Sequence, residues 1–588
     1  MTHQRHILFC LLLASALSCP ATAQMASSHP QRQVQPKAGA PVADFVDVAD
    51  LAGLTARTVT GGEHVKRHIL ESTGAGVALI DYDNDGWLDI FLVNGIGTEP
   101  QSGPPSTNHL YRNNHDGTFT DVTERAGLVR HGWGQGVSVG DYNGDGRLDL
   151  FVTYYGQNVL YRNNGDGTFT DVTSSAGLAT ALNMYSTGSA FFDFDGDGKL
   201  DLFVAHYIQY DEATTHEAGQ GNGCKWRGLT VFCGPRGLKP TRNSLYRNLG
   251  NGTFEDVSDK SGIAKPLGYN FTPLVADFNN DGWLDIYVAN DSMPSLLFLN
   301  NRNGTFNETG VLSGVAYNDD GREQSGMGTD VADFDGDGFL DIVKTNFEQD
   351  TNTLYRNRGD GTFDDVTFPS GLGVNTSFVG WGTGFLDFDS DGWPDIFMAN
   401  GHVYPEVDTL NDTSFQERKI LYHNRGDGTF DDVSLRGGPG LLLQRSSRGV
   451  AFGDLFNTGA TDIVVNNIGD HPTLLFNRMP NKNHAITFQL TGKDPNRAAL
   501  GARVTVFLQG HRMENEVRSG GTYLSQSDLR LRFGLGAATK VAKIEIRWPD
   551  SHTDTLTDLE VGRIITVQYG GKIIASSPYQ AFPARLHR

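Results

Sequence analysis

Phe45-Val46-Asp47-Val48, with Ala52-Gly53-Leu54 behind it, is the end of a repeat standing at the front of the chain. The same pattern recurs at Phe119–Val122 with Ala126-Gly127-Leu128. Its leading phrase, Gly-Thr-Phe-x-Asp-Val or a relative, returns at Phe169, Phe254, Phe306, Phe363 and Phe430. In those six later places it closes a unit that opens with Asp-x-Asp/Asn-x-Asp-Gly-x-x-Asp: Asp81–Asp89, Asp141–Asp149, Asp193–Asp201, Asp277–Asp285, Asp333–Asp341 and Asp387–Asp395. A worn seventh opening runs from Asp454 to Asp462. Between opening and close lies Leu-Tyr-Arg-Asn or a relative, seven times, at Leu110–Asn113, Leu160–Asn163, Leu245–Asn248, Leu297–Asn300, Leu354–Asn357, Leu421–Asn424 and Leu474–Asn477. After Asn477 the closing phrase is missing. A repeat cut in this way implies a closed ring whose last unit takes one strand from each end; an open solenoid has no use for the permutation. Each unit of about 60 residues holds short apolar runs bounded by turn signals, such as Val77–Ile80, Leu88–Val93 and Leu110-Tyr111. Four short strands per unit and seven units predict an all-β chain, a seven-bladed β-propeller over residues 44–478 closed by an N-terminal strand. Closure also removes exposed sheet edges, apart from short blade rims.

Each acidic phrase lies between two predicted strands. Oxygen-bearing side chains at positions one, three, five and nine, with Gly at six permitting a sharp positive-φ turn, gather hard ligands round one point, which is the donor set of a calcium cage. The candidate ligands are Asp81, Asp83, Asp85 and Asp89; Asp141, Asn143, Asp145 and Asp149; Asp193, Asp195, Asp197 and Asp201; Asp277, Asn279, Asp281 and Asp285; Asp333, Asp335, Asp337 and Asp341; and Asp387, Asp389, Asp391 and Asp395. Turn propensity alone explains one such phrase. It does not explain a fixed carboxylate register in six. Mg²⁺ fits less well, because it keeps its waters rather than enter a full protein cage. The seventh phrase has Phe456 and Thr458 at positions three and five, keeps only Asp454 and Asp462, and is expected to be a plain turn.

The rest of the composition agrees. The 588 residues carry 47 Lys plus Arg against 69 Asp plus Glu, a formal charge of −22, which argues against nucleic acid as a partner. The six intact loops hold 22 Asp, so six bound Ca²⁺ would leave the chain near −10. Gly, at 72 residues, is about twice its ordinary ~7 % share and belongs in turns.

Residues 1–23 read as a secretory signal: Arg5, the apolar run Ile7–Leu17, then Ala21-Thr22-Ala23 as the cleavage site. Residues 24–43 then form a linker. That run is too short to span a bilayer and no later run approaches the length needed, so the chain is expected to be exported without a transmembrane segment, whether secreted, periplasmic or held at a cell surface. Lipidation at Cys19 is the alternative, weakened because Leu does not stand three positions before the Cys. Of four Cys, Cys10 and Cys19 leave with the signal. Cys224 and Cys233 remain in a Gly-rich insertion from about 209 to 240, where a disulfide is the default in an oxidising compartment.

Beyond the ring, residues 484–570 alternate apolar and polar in runs such as Arg503–Leu508, Lys543–Trp548 and Ile564–Tyr569, which predicts a compact β-sandwich, with 571–588 as a tail. The repeats resemble the FG-GAP/VCBS repeat of integrin α-subunit propellers and many exported microbial proteins. Ala498–Ala502, Arg518–Gln526, Phe533–Gly536 and Trp548-Pro549 resemble the ASPIC/UnbV domain, and the pairing resembles the cartilage acidic protein family over nearly all of the mature chain. The resemblance implies calcium binding and an adhesion-like extracellular role toward a protein or glycan, and carries over no catalytic residue.

Enzyme signals are thin. Gly136-Val137-Ser138-Val139-Gly140 fits G-x-S-x-G but sits in a predicted inner strand with no helix after it. Glu63-His64 and His68 are in the wrong order for a zinc helix. The remaining candidate is a ring of polar residues at the ends of second strands: Asn94, Tyr154, Tyr207, Asn290, Asn346 and Asn400 among them. Within it His206, Asp291 and His402 would be the catalytic set of an exported carbohydrate lyase or hydrolase, unless they are strand-end caps. The Arg518–Gln526 loop reads either as a structural turn or as a docking surface.

Overall fold

The apolar runs that flank each acidic phrase become the two inner strands of a four-stranded antiparallel sheet. A computed structural model describes residues 39–99, 105–179, 183–215, 217–220, 223–478, 482–508 and 510–587. The expected signal, Cys19 and residues 24–38 of the linker lie outside them. In blade 1, Val77–Ile80 pairs with Asp89–Leu92, then His109–Asn113, then Phe119–Asp121 at the rim. Blades 2 to 6 begin at Trp133, Met184, Asn270, Thr329 and Gly380 and keep this order. Blade 7 consists of Ser447–Gly453, Asp462–Asn467 and Thr473–Asn477, and its fourth strand is Phe45–Asp47, with Phe45 opposite Asn477. The inner strand of blade 7 packs against those of blades 6 and 1, so the ring is closed.

The repeated residues are the fasteners between blades. The aromatic at position two of each acidic loop packs on the closing Phe of the next blade: Tyr82 on Phe169 at 6.1 Å between ring centres, Tyr142 on Phe254 at 5.9 Å, Phe334 on Phe430 at 5.7 Å. Phe388 of blade 6 meets Phe45 at 6.4 Å, so the permuted strand fills the same place. Such pairs add about 0.5–1.5 kcal/mol beyond the area they bury. The Asn of Leu-Tyr-Arg-Asn bridges the same seam. Asn163 Nδ2 donates to the Tyr82 carbonyl of the previous blade at 2.8 Å, and Asn248 to that of Tyr142 at 2.7 Å.

Residues 484–578 form the second domain, two four-stranded sheets packed face to face. One contains Leu531–Gly536, His484–Thr491, Arg563–Gln568 and Lys572–Pro578; the other contains His511–Glu516, Arg503–Leu508, Lys540–Arg547 and Thr553–Glu560. The structure corrects the expected tail: Lys572–Pro578 is an edge strand on Arg563–Gln568. Beyond it, Leu586 is buried with Phe582 against the blade 7–blade 1 core, because an apolar tail beside an open core edge lowers its exposure by packing there.

The channel of the ring is filled from both ends. Residues 519–526 of the second domain enter it from the side of the acidic loops. Leu79 N–H donates to the Gln526 carbonyl at 3.0 Å and Val137 N–H to that of Leu524 at 3.0 Å, in blades 1 and 2, while Thr329 N–H of blade 5 donates to Thr522 at 2.6 Å. Tyr523, fully buried, packs its ring 4.9 Å from Trp381 and 5.8 Å from Phe271. Arg448 stacks 3.9 Å over Trp381 and donates to the carbonyls of Ser72, Gly401, Ser447 and His402. From the opposite side comes the insertion, whose hairpin Cys224–Trp226/Leu229–Val231 is closed by the Cys224–Cys233 disulfide. Its Trp226 packs on Phe347 and its Phe232 on Tyr404.

Candidate metal centres

In the first acidic loop, Asp81 accepts the Asp85 N–H at 3.0 Å and the Gly86 N–H at 2.9 Å, one on each carboxylate oxygen. Asp85 accepts the Trp87 N–H, and Asp89 accepts those of Tyr82 and Asn113. This wraps the backbone into a tight coil with the side-chain oxygens inside. Gly86 has φ +86, where a Cβ would be strained. Position four is also left-handed in all seven loops, as Asn84, Gly144, Gly196, Asn280, Gly336, Ser390 and Asn457. The sequence reading used the glycine at six and passed over the Asn/Gly/Ser choice at four, which carries the same signal.

Ligand oxygens lie within 4.8 Å of one another in Asp81, Asp83 and Asp85; in Asp193, Asp195 and Asp197; in Asp333, Asp335 and Asp341; and in Asp387, Asp389 and Asp395. In the second and fourth loops, Asn143 and Asn279 hold position three and each accepts the N–H of the position-five Asp at 3.1 Å. Burial pushes the carboxyl of Asp81 up to about 6, Asp333 and Asp387 to about 7 and Asp89 to about 8, and raises Asp149, Asp201, Asp285, Asp341 and Asp395 well above the carboxylate range. Third-strand cations meet only the outer carboxylates: Arg112 with Asp83 at 2.8 Å, Arg247 with Asp195 at 2.6 Å and Arg356 with Asp335 at 2.6 Å. Asp83 Oδ1 and Asp333 Oδ1 are buried with no hydrogen-bond partner. Hard oxygen donors, desolvated negative charge and orphaned carboxylate oxygens fit a hard divalent cation.

The seventh loop keeps the coil: Asp454 accepts the Thr458 and Gly459 N–H groups. Phe456, at position three, is buried 6.3 Å from Phe119 and 5.8 Å from Phe476, so this side chain joins the blade 7–blade 1 core and offers no oxygen.

The structure does not bring the proposed catalytic set to a common partner. His206 is fully buried between Ser186 at 3.1 Å and Ser244 at 3.0 Å. Asp291 accepts the Tyr207 hydroxyl at 2.6 Å. His402, also fully buried, bonds Glu348 at 3.1 Å beneath the insertion. His206 thus bonds within its own blade, while Asp291 and His402 bond residues of neighbouring blades. Ser138 is likewise a buried inner-strand residue bonded to Ser189. An open crevice of about 1250 Å³ lies on the side away from the acidic loops, with Arg57, Lys66, Asn94, His109, Asp121 and His131 among its lining. His109 Nδ1 lies 2.7 Å from Asp121 there. Sequence reasoning missed this crevice, because its walls come from three blades and the connection over residues 53–76.

Comparison with known families matches an FG-GAP-like repeat over residues 81–152, 141–204, 231–288, 277–344 and 333–398, and ASPIC and UnbV over residues 492–574. Cartilage acidic protein 1 of Mus musculus is 24% identical over 530 residues, covering 84% of this chain and 73% of that protein. The Homo sapiens protein of the same name is 29% identical over 509 residues, covering 81% and 68%. Among solved structures, rhamnogalacturonan lyase YesW aligns with 69% of this chain and 71% of its own at 13% identity and a TM-score of 0.34.

Proposed function

We propose that this FG-GAP-like repeat propeller with an ASPIC and UnbV domain, a relative of cartilage acidic protein 1, is an exported binding module whose ring is held in shape by about six calcium ions. The observation that carries the reading is the repeated coil: six loops carry oxygen-bearing side chains at positions one, three, five and nine, and in four of them three such oxygens lie within 4.8 Å of one another. Residues 81–89, 141–149, 193–201, 277–285, 333–341 and 387–395 supply the ligands, and the ion supplies the neutralising charge that lets four oxygen donors share one point. Its role is structural, because the C-terminal domain sits over that face.

The partner side is then the other face, where the crevice beside blade 1 lies. Its mixture of carboxylate, guanidinium, imidazole and hydroxyl groups suits hydrogen bonding to an extracellular or cell-surface protein or glycan. An enzyme built on His206, Asp291 and His402 would need them to share a substrate, whereas each is tied to a different partner: Ser186 and Ser244, Tyr207, and Glu348. The test is an array of glycans and surface proteins probed in calcium and again in excess chelator. The module reading expects saturable binding that weakens when Arg57 and His109 are replaced by alanine. Cleavage of a polysaccharide by the purified chain, abolished by His402→Ala, would reinstate the enzyme.

A further inference from the structure

Three arginines of the C-terminal domain read three acidic loops in the same way. Arg503 donates to the carbonyl of Asp277 at 3.0 Å and to the side-chain oxygen of Asn280. Arg532 donates to the carbonyl of Asp387 at 2.9 Å and to the hydroxyl of Ser390. Arg530 donates to the carbonyl of Asp454 at 2.8 Å and to Asn457 Oδ1 at 2.6 Å. In every case the targets are the position-one carbonyl and the position-four side chain. Those two oxygens converge only in the coiled loop, where position four is left-handed. Carboxylates of the same domain orient two of these arginines in advance, Glu516 holding Arg503 at 3.0 Å and Asp528 holding Arg530 at 2.8 Å. Further contacts follow the same face, with Arg547 on the Asp277 carboxylate at 2.7 Å and His511 on the Gly392 carbonyl at 3.2 Å.

The same bonds to the position-one Asp wind all three loops, but the charge wound into them differs. In the seventh, Asp454 winds the coil by accepting the Thr458 and Gly459 N–H groups, Phe456 packs into the core, and only two carboxylates remain. In the fourth and sixth, three and four carboxylates are wound together; Arg547 on Asp277, Arg302 on Asp281 and His423 on Asp389 offset part of their repulsion, and a divalent cation among them would offset the rest. We propose that the fourth and sixth acidic loops are ion-gated docking sites for the C-terminal domain: calcium sets the coil that Arg503 and Arg532 recognise, and its removal releases those arginines and frees segment 519–526 from the channel. The proposal rests on the calcium reading above. By linkage, whatever favours the coil favours docking, and docking in turn favours the coil.

Hydrogen exchange of the full chain read by mass spectrometry tests it, alongside calorimetric titration of calcium. On adding chelator, exchange over 519–526 and at the start of Arg503–Leu508 should rise about tenfold or more, while 454–459 keeps its protection. In saturating calcium, the double variant Arg503→Ala/Arg532→Ala should expose 519–526 to the same degree while still binding calcium. Calcium that binds and is stripped with no change over 519–526 overturns the gating but leaves the calcium reading intact. Absence of any calcium binding removes the reading beneath it. If chelation unfolds the whole ring, the double variant decides: unchanged protection of 519–526 in that variant overturns the proposal.

Discussion

Gly76 stands where the inner strand of blade 1 meets residues 519–526, the plug of the channel. A Cβ there would lie 2.1 Å from the Leu524 carbonyl oxygen, a backbone atom that cannot swing aside. Gly76→Ala should therefore destabilise the fold by roughly 1–3 kcal/mol through overpacking, read by denaturant unfolding; a neutral result would mean that the plug is not seated as described. His206 makes a second prediction. Burial pushes its imidazole down to about 3, so between about 6.5 and 3 the unfolded chain binds a proton that the folded chain refuses. Stability is then present above about pH 6.5 and falls by about 1.4 kcal/mol per pH unit on acidification through that window. A His206→Asn variant should lack that part of the slope when the two are melted side by side, and identical slopes would refute the assignment. Both residues show what a sequence conceals. The ligand positions of the loops were legible because the register recurs, whereas Gly76 owes its role to a segment far away in the chain and His206 to its burial between two strands of its own blade.

At the scale of elements, the permuted strand was legible and the plug was not. Phe45-Val46-Asp47-Val48 announced itself by copying a phrase whose place in the unit was already known, and it pairs with Thr473–Asn477 as that place requires. Residues 519–526 have no repeat to copy. Their partners lie as far off as Val77, 448 residues from Ser525, and a run of Gly, Ser and Thr looks the same in a turn as in a channel. The tail was misread for a related reason: Lys572–Pro578 is exposed along its length, and only its pairing makes it a strand. Closure of the ring gives the prediction at this scale. Phe45 is fully buried against Phe388, so Phe45→Ala should cost about 3–5 kcal/mol, measured as a shift in the chemical unfolding midpoint. A cost near zero would mean that the ring closes without its N-terminal strand.

Across the whole molecule, charge, fold and function meet at the acidic face. The formal charge of −22 equals the number of Asp in the six intact loops, so the acidity is concentrated in the proposed cages rather than spread as a surface field for partners. The chain's own second domain covers that face with arginines, the insertion seals the channel opposite, and the crevice at blade 1 remains for others. All of this depends on the loops holding metal. Native mass spectrometry of the purified chain, paired with a thermal melt before and after excess chelator, measures that directly. About six calcium ions per chain, lost on chelation together with a large drop in Tm, is the predicted result; a calcium-free mass and a melt that chelator does not move would contradict it.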